Sequence, residues 1–271
     1  MKKTFLISLI VVVTIFTTAC QTPGGYILPE RKQGDRTILV YGDGLEKAYI
    51  SYVIALTGKQ RPKVCFFPTA AADSPLATRI WSAMVEDLPL ESEVVVTFIN
   101  SSPEQKTFAE QILNSDAIIV GGGNTLNMIA IWRAQGIDTF LRAAYEKGIV
   151  MAGGSAGSLC WFTGGYSDSR PQKLSVIECL GFLKYSHCPH YNEPERRRLY
   201  TEAVKQGILE PGYACENGAG LLFINEKLVK SLSLSPENSN YFVTVRDGKL
   251  SEEKLKAEII RNEKINNNCG I

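Results

Sequence analysis

Five short β-prone runs, each parted from the next by a stretch of helical periodicity, constrain this chain most. They are Thr37–Tyr41 (TILVY), Lys63–Phe67 (KVCFF), Glu93–Phe98 (EVVVTF), Asp116–Val120 (DAIIV) and Ile149–Met151. The spacing predicts helices over 46–57, 76–87, 104–113, 124–135 and 138–147 between them. Nearly continuous apolar strands joined by helices of this length imply an α/β fold, a mostly parallel sheet sandwiched by helices. In such sheets the reactive groups gather at the carboxyl ends of the strands. Two glycine-rich corners fall there: Gly121-Gly122-Gly123 after the fourth run and Gly153-Gly154-Ser155-Ala156-Gly157 after the fifth. A further helix is predicted over 193–206. The runs Leu221–Asn225, Leu228–Leu234 and Tyr241–Val245, with tight turns between them, predict short antiparallel strands near the C-terminus that complete one side of the sheet.

The 271 residues divide into four stretches. Residues 1–20 read as a signal peptide: Lys2 and Lys3, an apolar stretch from Phe5 to Phe16, then Thr17-Thr18-Ala19-Cys20. The apolar stretch is short for a membrane span, which takes about 20 residues. Cys20 directly after Ala19 resembles a bacterial lipoprotein signal, in which that cysteine is lipidated. Thr17 departs from the usual leucine, so plain cleavage or an uncleaved anchor stays open. The expected location is a membrane-anchored lipoprotein of the cell envelope facing the periplasm, the alternative a soluble periplasmic or secreted protein. Gln21 after the cysteine is compatible with sorting to an outer membrane. Residues 21–36, rich in Pro, Gly and charge, read as a tether, 37–260 as the folded domain, and 261–271 as a loose tail. A net charge of +1 excludes nucleic acid as an expected partner. Of seven cysteines, Cys65 and Cys160 fall in apolar contexts that suit buried thiols, and disulfides stay open.

The fifth run and its corner carry the strongest chemical signal. Strand, small-residue turn and helix are the setting in which G-x-S-x-G exposes a serine, here Ser155. A serine hydroxyl is a weak nucleophile and needs a base in hydrogen-bond reach. The chain has two histidines, His187 and His190, in Ser186-His187-Cys188-Pro189-His190-Tyr191. In an extended run residues three apart point to opposite faces, so only one of them can address Ser155. A metal reading of His187, Cys188, His190 and Glu193 is weakened by Pro189, which opposes a helix aligning the pair, and no second ligand cluster accompanies it. Two acids are candidates to orient the histidine: Asp168, in YSDSR, and Glu216, at an apparent strand end in ACENG. The N–H of Ala156 and one from the Gly121-Gly122-Gly123 loop are placed to hold an oxyanion. That loop lacks the lysine and spacing of a P-loop.

The GGGNT corner, the serine corner GGSAG and the CPHY histidine, in this order, resemble the peptidase E family of serine peptidases. That family includes aspartyl dipeptidase and is related to cyanophycinase. The resemblance runs from Thr37 to Val245. It implies a fold like that of class I glutamine amidotransferases, with Ser155 as nucleophile, His190 as base, and Gly122 and Ala156 as oxyanion donors. Both acids have counterparts proposed in the family; Glu216 is preferred, because a strand end holds its side chain firmly. The implied activity is an exported dipeptidase or exopeptidase acting on short peptides, with Asp-X a candidate specificity. Arg170 is the first candidate reader of an acidic side chain, with Arg196, Arg197 and Arg198 behind it. No cofactor is implied. The export signal departs from the cytosolic dipeptidases, and family membership does not fix the side-chain preference. Two alternatives stay open. One is an esterase of α/β-hydrolase type, whose histidine would lie nearer the C-terminus. The other is a non-catalytic lipoprotein that keeps the fold for binding.

Overall fold

A computed structural model describes residues 26–99, 102 and 104–260. The signal peptide, Cys20, the first part of the tether and the tail from 261 lie outside the described residues. The first half of the domain alternates strand and helix. The order is β1 (Thr37–Tyr41), α1 (Lys47–Thr57), β2 (Lys63–Phe67), α2 (Pro75–Val85), β3 (Glu91–Val94), α3 (Phe108–Leu113), β4 (Ala117–Val120), α4 (Thr125–Gln135), α5 (Ile137–Glu146) and β5 (Val150–Gly154). Strand β5 runs straight into the one-turn helix α6 (Ala156–Leu159). β1, β5, β4, β2 and β3 lie side by side and pair in parallel. Successive side chains of β1 go to opposite faces, as a strand requires. Ile38 and Val40 join a core with α4 and α5, whereas Leu39 and Tyr41 join one with α1 and Trp81 of α2. Both faces of the sheet are thus covered by helices.

Two boundaries differ from the sequence expectation for local reasons. The third strand starts at Glu91 and ends at Val94, although the apolar run continues to Phe98. Beyond Val95 the Asp73 carboxylate takes the N–H groups of Thr97 and Phe98, and the Thr97 hydroxyl at 3.0 Å, drawing the chain off the sheet edge. Helix α3 starts at Phe108, four residues later than expected, because Thr107 caps it. Its hydroxyl accepts from Glu110 N–H at 3.2 Å, and the Glu110 carboxylate accepts from Thr107 N–H at 2.8 Å.

The remaining strands are β6 (Gly164–Ser167), β7 (Ser175–Glu178), β8 (Ser186–Cys188), β9 (Gly212–Cys215), β10 (Ala219–Ile224), β11 (Lys227–Ser233), β12 (Asn240–Arg246), β13 (Lys249–Leu255) and β14 (Glu258–Ile259), with helix α7 (Pro194–Lys205) after β8. They do not all complete one sheet. β10 adds antiparallel to β1, β11 adds antiparallel to β10, and β14 follows, giving an eight-stranded sheet in the order β14-β11-β10-β1-β5-β4-β2-β3. The others form a second, six-stranded sheet, β13-β12-β9-β8-β6-β7. The chain passes from the second sheet to the first through the turn between β9 and β10, residues 216–218. That crossing brings the carboxyl ends of β8 and β9 up to those of β1, β4 and β5. The described part of the tether lies against the body: Tyr26 packs on Tyr52 with ring centroids 5.1 Å apart, and Ile27 O accepts from Lys230 at 2.8 Å.

Candidate active site

Ser155 sits at the centre of the large sheet, between β5 and α6, with φ 53° and ψ −118°. A non-glycine residue in that region carries about 1–3 kcal/mol of strain and persists only where its surroundings hold it. Here Ser155 N–H donates to Tyr41 O at 3.3 Å, and its carbonyl accepts from the N–H groups of Ser158 and Leu159, each at 3.0 Å. The turn closes because Gly157 has no side chain: a Cβ there would stand 2.1 Å from Val120 O. The hydroxyl is thereby presented at the carboxyl ends of the strands.

His190 follows β8 and Pro189. It too has a positive φ, 54°, and its N–H donates to Gly42 O at 3.2 Å, tying it to the loop after β1. Its Nε2 lies 2.8 Å from Ser155 Oγ, and its Nδ1 lies 2.8 Å from Asn217 Oδ1. An amide oxygen only accepts, so Nδ1 carries the proton and the Nε2 lone pair faces the serine hydroxyl. Asn217 is itself anchored, its N–H donating to Asn192 Oδ1 at 3.0 Å.

The orienting partner is therefore Asn217 and neither of the two expected acids. Glu216 turns the other way: its carboxylate accepts from Ser239 N–H at 2.8 Å and from the Tyr241 hydroxyl at 3.3 Å, pinning the loop that carries Asn217. Asp168 stands mostly in solvent, 3.7 Å from the Arg196 guanidinium. The sequence reading considered only carboxylates at this place. Asn217 is the neighbour of Glu216; an amide oxygen accepts an imidazole N–H as a carboxylate does, but nothing in the sequence marks this asparagine.

His187, in contrast, is fully buried. Its Nδ1 donates to Tyr213 O at 2.9 Å, its Nε2 lies 3.1 Å from Ser158 Oγ, and its ring stacks on Phe162 at 4.3 Å. Burial lowers its pKa to about 3, so the ring is neutral at physiological pH. Among the described residues no group of three His, Cys, Asp or Glu side chains is arranged to hold a metal ion. The five cysteines among them are free buried thiols.

Gly122 faces the serine: a Cβ built on it would lie 3.2 Å from Ser155 Cβ and 3.6 Å from Oγ. The N–H groups of Gly122 and Ala156 have no acceptor among the described residues. Of the arginines, Arg170 is bound along β7, to Ser175 Oγ at 2.8 Å and Val176 O at 3.4 Å. Arg196 is buried between Glu193 and Asp168, and Arg197 pairs with Glu252 across the ring of Tyr191.

A strained serine at a strand-to-helix corner, a histidine on its hydroxyl and two idle amides beside it define a hydrolase of the serine type. The chain belongs to peptidase family S51, whose sequence model matches residues 39–231. It is thus a serine-type peptidase. It is 34% identical over 210 residues to the uncharacterized peptidase YgaJ of Bacillus subtilis (strain 168), a match covering 77% of this chain and 90% of that protein. Its fold is similar to that of a peptidase from an acI-B1 actinobacterium, with TM-score 0.63 and 16% identity over 83% of this chain and 96% of the other. It is also similar to the crystal structure of a Listeria monocytogenes EGD-e protein assigned to peptidase E, with TM-score 0.56 and 19% identity over 74% of this chain and all of that one.

Proposed function

We propose that this chain cleaves short peptides near their N-terminus through an acyl-enzyme on Ser155. The observation that carries the reading is the 2.8 Å contact between Ser155 Oγ and His190 Nε2 beside the unpartnered N–H groups of Gly122 and Ala156. His190 takes the hydroxyl proton as Ser155 Oγ attacks the peptide carbonyl carbon. The carbonyl oxygen gains negative charge and is held by the two amides. His190 then gives its proton to the leaving amine as the C–N bond breaks. Water, deprotonated by the same ring, releases the acyl group and restores the serine. Asn217 keeps the ring in the one tautomer that serves these steps.

Asp-X specificity is the finer part of the reading. It rests on the resemblance to aspartyl dipeptidases, with Arg170, one edge held by Ser175, as the group offered to a substrate carboxylate. The envelope location rests on the leader pattern: Cys20→Ala in the soluble fraction, against wild type in the membrane fraction, is the expected outcome. Equal fractionation of the two would refute lipidation of Cys20. The activity is tested by assaying Asp-X dipeptides and a broader dipeptide panel with wild type and Ser155→Ala. Loss of the nucleophile is expected to reduce turnover about 10⁴- to 10⁶-fold. Hydrolysis that survives Ser155→Ala, or turnover of esters alone, would overturn the reading.

A further inference from the structure

Beneath the Ser155 turn lies a polar pair that the steps above leave unused. Ser158 and His187 are both wholly buried, in a place where apolar side chains would pack without any desolvation cost. Tyr213 O, being an acceptor, fixes the His187 proton on Nδ1, so Nε2 offers a lone pair to Ser158 Oγ at 3.1 Å. The same Oγ lies 2.7 Å from Ser155 O. One hydroxyl proton therefore faces two acceptors, and it reaches either by rotation about Cβ–Oγ.

The second acceptor is the informative one. Ser155 C=O and Ala156 N–H are the two ends of a single peptide unit. A hydrogen bond donated to the oxygen polarises that unit and makes the N–H a stronger donor. Three donors converge on this oxygen: the N–H groups of Ser158 and Leu159, and the Ser158 hydroxyl. Together they also fix the plane of the peptide that carries Ala156 N–H.

We propose that Ser158, backed by His187, is a positioning residue that orients and polarises the Ser155–Ala156 peptide so that Ala156 N–H binds the oxyanion. The inference rests on Ser155 being the nucleophile. In the resting site the hydroxyl donates to Ser155 O at 2.7 Å, and His187 Nε2, at 3.1 Å, is the alternative acceptor. As charge grows on the substrate oxygen, the pull on Ala156 N–H makes Ser155 O a better acceptor still, and that bond tightens. No proton leaves Ser158, and His187 acts only as its alternative acceptor.

The test compares wild type, Ser158→Ala, His187→Gln, the double variant and Ser155→Ala in two readouts: the rate of phosphonylation by a fluorophosphonate, and kcat and KM on a cleaved dipeptide. Ser158→Ala is expected to lower kcat and the phosphonylation rate together, each about tenfold, with KM little changed; direct loss of an oxyanion donor costs more. Its melting temperature should fall by about a few degrees, because the buried His187 Nε2 loses its donor, and the protein should stay folded at the assay temperature. The double variant should be no slower than Ser158→Ala alone, because both changes act through one hydroxyl. Wild-type rates in Ser158→Ala, or a rise in KM with kcat intact, would overturn the proposal. Additive losses in the double variant would overturn the part given to His187. Failure of wild type to be phosphonylated at all would instead refute the nucleophile.

Discussion

An amide behind a histidine base orients it without charging it. Asn217 Oδ1 holds His190 Nδ1–H at 2.8 Å, so the ring keeps its tautomer but gains no carboxylate to stabilise the imidazolium. Asn217→Ala should lower kcat about tenfold or more by freeing the ring, whereas Asp168→Ala should leave it near wild type. Asn217→Asp should move the acid limb of kcat/KM to higher pH, because a carboxylate favours the protonated ring. A pH–rate profile of the three variants checks this, and an unmoved limb in Asn217→Asp would count against the contact. The Ser155–His190 contact was legible in the sequence because the chain offers only two histidines. Asn217 was not, since an asparagine in a turn beside an acid carries no distinguishing pattern. His187 allows a second prediction at this scale. Its pKa falls from an ordinary value of 6.5 to about 3, so the unfolded chain binds more protons than the fold between those values. The stability that its neutral state contributes is complete above pH 6.5 and is lost as pH falls towards 3. Denaturant unfolding should show about 2 kcal/mol lost from this group between pH 6.5 and 5, and a flatter dependence in His187→Gln. Equal slopes in the two proteins would refute it.

The elements that read clearly were those with continuous apolar runs. β1, β2 and β4 are buried on both faces, and their sequences show it. β3 was misplaced because its apolar residues continue past the edge, where Asp73 and not the sheet takes the backbone. The second sheet was largely hidden. β6 (GGYS), β8 (SHC) and β9 (GYAC) are short and rich in small residues, and their burial comes from packing that no local pattern announces. The corner between β5 and α6 depends on close backbone approach. Gly157→Ala would set a Cβ 2.1 Å from Val120 O, a backbone atom that cannot swing aside. Thermal melting should show a loss of about 1–3 kcal/mol, with activity falling as the serine shifts. A variant as stable and active as wild type would show that the corner tolerates a wider turn.

At the scale of the molecule, the site belongs to neither sheet alone. Ser155 comes from β5 and Gly122 from the loop after β4 in the large sheet, while His190 follows β8 and Asn217 follows β9 in the second. The turn at 216–218 joins the two sheets and places Asn217 in the same step, which ties the assembly of the fold to the assembly of the site. This junction activates one hydroxyl. The most direct measurement is peptide mapping by mass spectrometry after brief exposure to a fluorophosphonate, on wild type and His190→Ala. A single phosphonyl adduct on Ser155 is expected in wild type, and a strongly reduced yield in His190→Ala. An adduct elsewhere, or an unlabelled Ser155 in folded wild-type protein, would contradict it.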